Sequence, residues 1–139
     1  MTSLELAQTA MKEIGPLTSE IDVIAQNGDS TWAVRFDDDS IVTVEWVQSP
    51  SRWVLSAVLG RPVKERKIEI YEALLSYDSL ANEAGGMRCQ RATLVEQDTV
   101  VLIHELNAQQ LTLAELRDAL LDFTDAAGDW RSFIADPPI

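Results

Sequence analysis

The spacing of apolar and polar positions divides the chain into helical and strand-like stretches with turn residues between them. Thr2 and Glu5 stand at capping-box spacing and Gly15-Pro16 is a stop signal. A first helix is therefore predicted over Ser3 to Ile14, with Leu4, Ala7, Met11 and Ile14 on one stripe. Leu17 to Gly28 is less regular, with room for a short strand around Ile21 to Ala25 before the turn residues Asn27-Gly28-Asp29. Thr31 to Phe36 then alternates, with Trp32, Val34 and Phe36 on one face. Ile41 to Gln48 places Val42, Val44 and Trp46 on one face and Ile41, Thr43, Glu45 and Val47 on the other. Trp53 to Leu59 is apolar on both faces apart from Ser56. Asp37-Asp38-Asp39-Ser40 and Ser49-Pro50-Ser51 make turns too short for parallel crossovers, so these three strands form an antiparallel meander.

Pro62 to Ala84 is predicted as the central helix, with two apolar faces rather than one. Val63, Ile70, Leu74, Tyr77 and Ala81 fall in one arc; Ile68, Tyr71 and Leu75 fall in another, roughly 140° away on the helical wheel. A helix needs one such face to dock on its own core, and the second implies a further surface to bury. Gly85-Gly86 ends this helix, and Met87 to Glu96 and Thr99 to Leu106 read as a hairpin around Gln97-Asp98. The last helix opens on a second capping box, Thr112 and Glu115. It carries Leu113, Leu116, Leu120, Phe123, Ala127, Trp130 and Ile134 on one stripe, opposite an acidic stripe, and ends at Asp136-Pro137-Pro138.

The predicted fold class is α+β: helix, three antiparallel strands, helix, two strands, helix, with residues 1–139 as a single domain. The end helices suffice to cover one face of a twisted antiparallel sheet, the face of Trp32, Val34, Val42 and Val44. Ile41, Val47, Val54, Val58, Val101 and Ile103 are left for the other face. Together with the spare helix face they form a larger apolar surface than soluble monomers usually show, so burial by a partner is expected.

Charge narrows the kind of partner. Twenty-three acidic residues against 11 basic give a formal net charge of −12. This argues against nucleic acid, whose recognition draws its affinity from Lys and Arg, and against an anionic membrane surface. It suits a basic or apolar polypeptide. A lone cysteine, Cys89, allows no intrachain disulfide, and no apolar run is long enough to span a bilayer, so a soluble cytoplasmic protein is expected.

No catalytic centre stands out. Cys89 and His104, the only Cys and His, lie on adjacent predicted strands and make a Cys–His dyad the enzymatic alternative, without a motif around either. One of each is too few for a zinc site. Asp37-Asp38-Asp39 lacks the glycine and distal glutamate of an EF-hand loop and reads as a solvated turn. Of the four tryptophans, Trp32, Trp46 and Trp130 are expected in the core, and Trp53, at a strand start after Arg52, partly exposed. No cofactor or metal is expected. A tryptophan-lined small-ligand pocket is a further alternative.

Several stretches together, VRFDDDSIVTVEW, WVLSAVLGRP, EALLSYDSLANEAGGMRC, TVVLIHEL and LAELRDALLDFTDAAGDWRSFI, make the chain resemble the class I type III secretion chaperones, the family of the Tir chaperone. The most telling piece is Leu80-Ala81-Asn82 followed by Gly85-Gly86 and a strand. The resemblance implies a homodimer with the central helix at the two-fold axis, acting in the bacterial cytoplasm without ATP. It further implies binding of the N-terminal segment of one or more secreted effectors, largely extended. By position it assigns Ile70, Tyr71, Leu74, Tyr77 and Ala81 to the dimer interface, and Ile41, Val47, Trp53, Val54 and Val58 to effector binding. Leu17 to Asn27 is longer and less apolar than the family's usual link. A regulatory or adaptor domain of the same fold, with no secreted client, is the other alternative.

Overall fold

Ser3, rather than Thr2, caps the first helix. Its backbone is extended and its hydroxyl accepts from the Leu6 amide at 3.2 Å, so α1 runs Leu4–Ile14. A capping hydroxyl must sit two or three residues before the amide it satisfies, and Thr2 is one residue too early. Ala7, Met11 and Ile14 are buried as the stripe requires, joined by Ala10.

This computed structural model describes residues 2–84, 91–95 and 99–135, with side chains for 2–76 and 99–135. After α1 come β1 (Ile21–Gln26), β2 (Thr31–Phe36), β3 (Ile41–Val47) and β4 (Arg52–Gly60). A 3-10 turn over Lys64–Arg66 leads into α2 (Lys67–Ala84), and β5 (Arg91–Val95), β6 (Thr99–Asn107) and α3 (Leu113–Ala135) follow. The predicted Gly85-Gly86 stop, the strand start at Met87, the Gln97-Asp98 turn, the Asp136-Pro137-Pro138 end and Cys89 lie outside the described residues.

The predicted order holds with one addition. The sheet has six strands in the order β1-β2-β3-β4-β6-β5, and β1 is its extra edge. Ile21 pairs with Phe36 and Ile24 with Val34, and the register slips by one residue between Ile21 and Val23. This bulge at Asp22 keeps Ile21 and Ile24 on one face although they are three residues apart. The period-2 pattern is thereby erased, which explains why the stretch reads so weakly as a strand.

Contacts divide the chain into two compact units. The first comprises Met1–Leu55 and Glu105–Thr124. Its core joins Trp32, Val34 and Phe36 of β2 to Val42, Val44 and Trp46 of β3, in register as Trp32 with Val44 and Val34 with Val42. Leu116, Leu120 and Phe123 of α3 complete the burial. The capping box that starts α3 is formed in both directions: Glu115 N donates to Thr112 Oγ1 at 3.1 Å and Thr112 N to Glu115 Oε1 at 3.3 Å.

The second unit comprises Ser56–His104 and Asp125–Ile139. Here β4 contributes Ala57 and Leu59, β6 contributes Val100 and Leu102, and α3 contributes Ala127 and Ile134. Gly60 ends β4 at φ +117°, a conformation that side chains rarely adopt, and thereby releases the chain toward Pro62 and α2.

Candidate polypeptide-binding site

The two apolar arcs of α2 have different fates. Ile70 and Leu74 are buried in the subunit's own core, whereas Ile68 and Leu75 are 75% and 72% exposed and Tyr71 is half-buried between them. The assignment of Ile70 and Leu74 to a dimer interface is therefore corrected: a side chain already enclosed by its own subunit has no surface left for a second copy. Tyr71 stays available with Ile68 and Leu75, and Tyr77 and Ala81 lie outside the described side chains. The free arc is the second one that the helical wheel separates.

The start of α2 is anchored by a buried cation. Arg66 donates through Nη1 to the backbone oxygens of Phe133 and Ile134 at the end of α3, and its guanidinium carbon lies 5.0 Å from the Phe133 ring centre. A cation is at home there, because the last carbonyls of a helix carry partial negative charge and lack intrahelical donors. Glu69 accepts from Arg66 Nε at 3.1 Å and Nη2 at 3.2 Å, and these bonds hold its carboxyl below the usual carboxylate range.

A second surface lies in the first unit. Between α1 and β1 runs a groove of about 420 Å³, lined by Met11, Ile21, Ile24 and Trp32, with Gln8, Lys12, Asp22 and Gln26 as its polar lining. Its walls are pinned at two points. Gln8 Nε2 donates to the Asp29 carbonyl at 2.9 Å, and Gly15 lies so close to β1 that a Cβ there would meet Ile24 Cδ1 at 3.4 Å. The groove escapes a reading of the sequence because one wall is the bulged strand. Paired apolar residues Ile21 and Ile24 before an Asn-Gly turn were the available signal.

The uncovered face of the sheet carries part of the set assigned to effector binding. Ile41 is 51% exposed and stands in a row with Arg35 and Val23 across β3, β2 and β1. Arg35 Nη2 reaches the bulge residue Asp22 at 2.7 Å. Val58 on β4 is 59% exposed, and Arg131 Nε donates to its carbonyl at 2.9 Å. Val47 and Val54 are half-buried.

Trp53 is a correction. It is 0% exposed, with its ring centre 5.9 Å from Trp32 and 5.1 Å from Trp46, so it is the middle of a tryptophan cluster and out of a client's reach. As an odd-numbered position in β4 it shares the buried face with Leu55, Ala57 and Leu59, and that alternation outweighs its place at the strand start. Trp130, expected in the core, is half-buried and packs edge-on against Phe133 at 5.8 Å.

The chemical candidates resolve as follows. The Asp37–Asp39 turn is closed by Ser40, whose amide and hydroxyl both donate to Asp38 Oδ1, at 3.0 and 2.6 Å. Asp39 adopts φ +68°, and no cluster that could hold a metal ion occurs among the described residues. His104 is buried on the core face of β6, and burial holds its imidazole below the usual range. No helix among the described residues is long and apolar enough to cross a membrane.

An antiparallel sheet with one open edge, an apolar groove at that edge and a bare helix face define an α+β protein built to hold polypeptide. The family is settled by sequence: residues 16–131 match the model of the Tir chaperone protein (CesT) family, and the chain belongs to it. No curated protein matches the chain by sequence. Among solved structures, the crystal structure of the ExsC–ExsE complex is similar at TM-score 0.71 and 18% identity, over 96% of this chain and 97% of that one. The HopA1–SchA chaperone–effector complex is similar at TM-score 0.72 and 14% identity, over 93% and 95%. The Yersinia pestis type III secretion chaperone SycH, in complex with a fragment of YscM2, is similar at TM-score 0.62 and 18% identity, over 88% and 97%.

Proposed function

We infer that this protein is a type III secretion chaperone that holds the N-terminal segment of one or more secreted effectors in a soluble, secretion-competent form. The observation that carries this reading is the family match over residues 16–131. The surfaces described above fit it. The edge of β1 offers unpaired backbone groups for strand addition, and the groove beside it offers apolar lining for the client's side chains. Ordering a disordered segment there needs no nucleotide, only enough apolar burial to offset the lost chain entropy.

The chaperone works as a homodimer in the bacterial cytoplasm and has no catalytic activity. Supporting the dimer is the free face of α2, where Ile68 and Leu75 would each gain about 1.5–3 kcal/mol on full burial. Val63, 44% exposed just before the 3-10 turn, adds to the apolar surface available. Ile41 and Val58 remain client candidates on the open sheet face.

Co-expression with secreted proteins encoded beside this chain provides the test. Co-purification of one of them, dependent on its N-terminal segment, is the expected result. If none is bound or kept soluble, the chaperone reading fails. Light scattering should give about twice the 15.4 kDa of one chain; a monomer at micromolar concentration would remove the dimer.

A further inference from the structure

We propose that the α1–β1 groove selects a basic client segment, in which apolar side chains enter the groove and Lys or Arg residues between them lie on an acidic rim. The proposal rests on the chaperone reading and specifies the chemistry of its client. Because Gln8–Asp29 and Gly15–Ile24 pin the walls, a volume of about 420 Å³ takes a few side chains and no more. The rest of a bound segment must pass over the rim, so the rim takes part in recognition.

That rim is strongly one-signed. From residue 1 to residue 29 the chain has five acidic residues, Glu5, Glu13, Glu20, Asp22 and Asp29, against the single cation Lys12. All five are exposed, and Glu13 and Glu20 directly adjoin the groove-lining Lys12 and Ile21. Asp22 lines the groove itself, placed there by the bulge in β1. Its pair with Arg35 is about half exposed on both sides, so it orients the carboxylate more than it neutralises the region. The other four carboxylates make no ion pair among the described residues. Lys12 sits in the last turn of α1, where a cation complements the helix terminus whether or not a client is bound. An acidic rim around an apolar slot complements a positive, apolar-containing segment and repels an acidic one.

The experiment selects displayed windows of about 30 residues, tiled over the proteins of the encoding genome, on the full-length chain at low salt. Three variants are compared with it: Glu13→Lys with Glu20→Lys, Glu13→Gln with Glu20→Gln, and Gln26→Trp, which fills the groove from an exposed position. Retained windows should be net positive, and their affinity should fall about tenfold between roughly 50 and 500 mM salt. The Lys variant should weaken them further than the Gln variant, with unchanged circular dichroism, and Gln26→Trp should abolish them. Windows lost with Gln26→Trp but neutral, and indifferent to rim charge, would overturn the basic client while leaving the chaperone reading intact. Windows indifferent to Gln26→Trp would overturn the groove as the site. An empty selection would remove the chaperone reading, and the proposal with it.

Discussion

The two compact units of this chain present opposite kinds of surface. The first, with the α1–β1 groove, has 13 acidic and four basic residues, a net −9; the second, with α2, has ten and seven, a net −3. In the first unit apolar side chains line a slot fringed by carboxylates. In the second, Ile68 and Leu75 stand bare on a helix whose opposite arc fills the core. A fringed slot suits a partner that must be recognised by charge and later released. A bare apolar face suits one that stays, because exposing it again restores the full cost of hydrating it. The difference separates the client's place from the second copy's.

The sharpest way to break this distinction is to charge both arcs of α2. Leu74→Glu places a carboxylate in a site only 6% exposed and should cost about 3 kcal/mol or more, seen as unfolding or a large loss in the denaturation midpoint. Ile68→Glu with Leu75→Glu should leave the subunit folded by circular dichroism and halve the mass in light scattering. If the double variant stays dimeric, the free arc is not the interface. Trp53→Ala tests the other unit: emptying the centre of the tryptophan cluster should cost about 3–5 kcal/mol in chemical denaturation. A loss below 1 kcal/mol there would contradict its burial.

Smaller effects refine the picture. Thr112→Ala removes the hydroxyl that accepts from Glu115 N and should lower stability by about 1 kcal/mol. His104 gives a pH dependence confined to the second unit. Its folded pKa lies below the ordinary 6.5 because burial disfavours the charged imidazole. The unfolded chain therefore binds the proton first, and stability is lost as pH falls from about 6.5 toward the lower folded value. Replacing His104 with Gln should flatten the denaturation midpoint across that window.

Much of the fold was legible because its elements obey simple periods. The stripes of α1 and α3 and the alternation of β2 and β3 follow directly from positions such as Met11, Phe123, Trp32 and Val44, and the two arcs of α2 were separable on a helical wheel. Which arc faces inward was not legible: Leu74 and Leu75 are chemically identical, and only the rest of the fold decides between them. Trp53 was misplaced by weighing its neighbour Arg52 above the alternation of its own strand. The groove was hidden for a third reason, since a single extra residue at Asp22 shifts the phase of β1 and disguises its apolar positions.

The guanidinium of Arg66 makes the length of α3 a condition for the start of α2. Its partners are the carbonyls of Phe133 and Ile134, which exist as free acceptors only because the helix ends close by. Trimming the chain before Phe133 would strand a cation that is 4% exposed, with Glu69 as its remaining named partner. Extending the helix by another turn would turn those carbonyls inward to new amides. The two helices thus share a ruler: α3 can be neither cut short nor continued without altering how α2 begins.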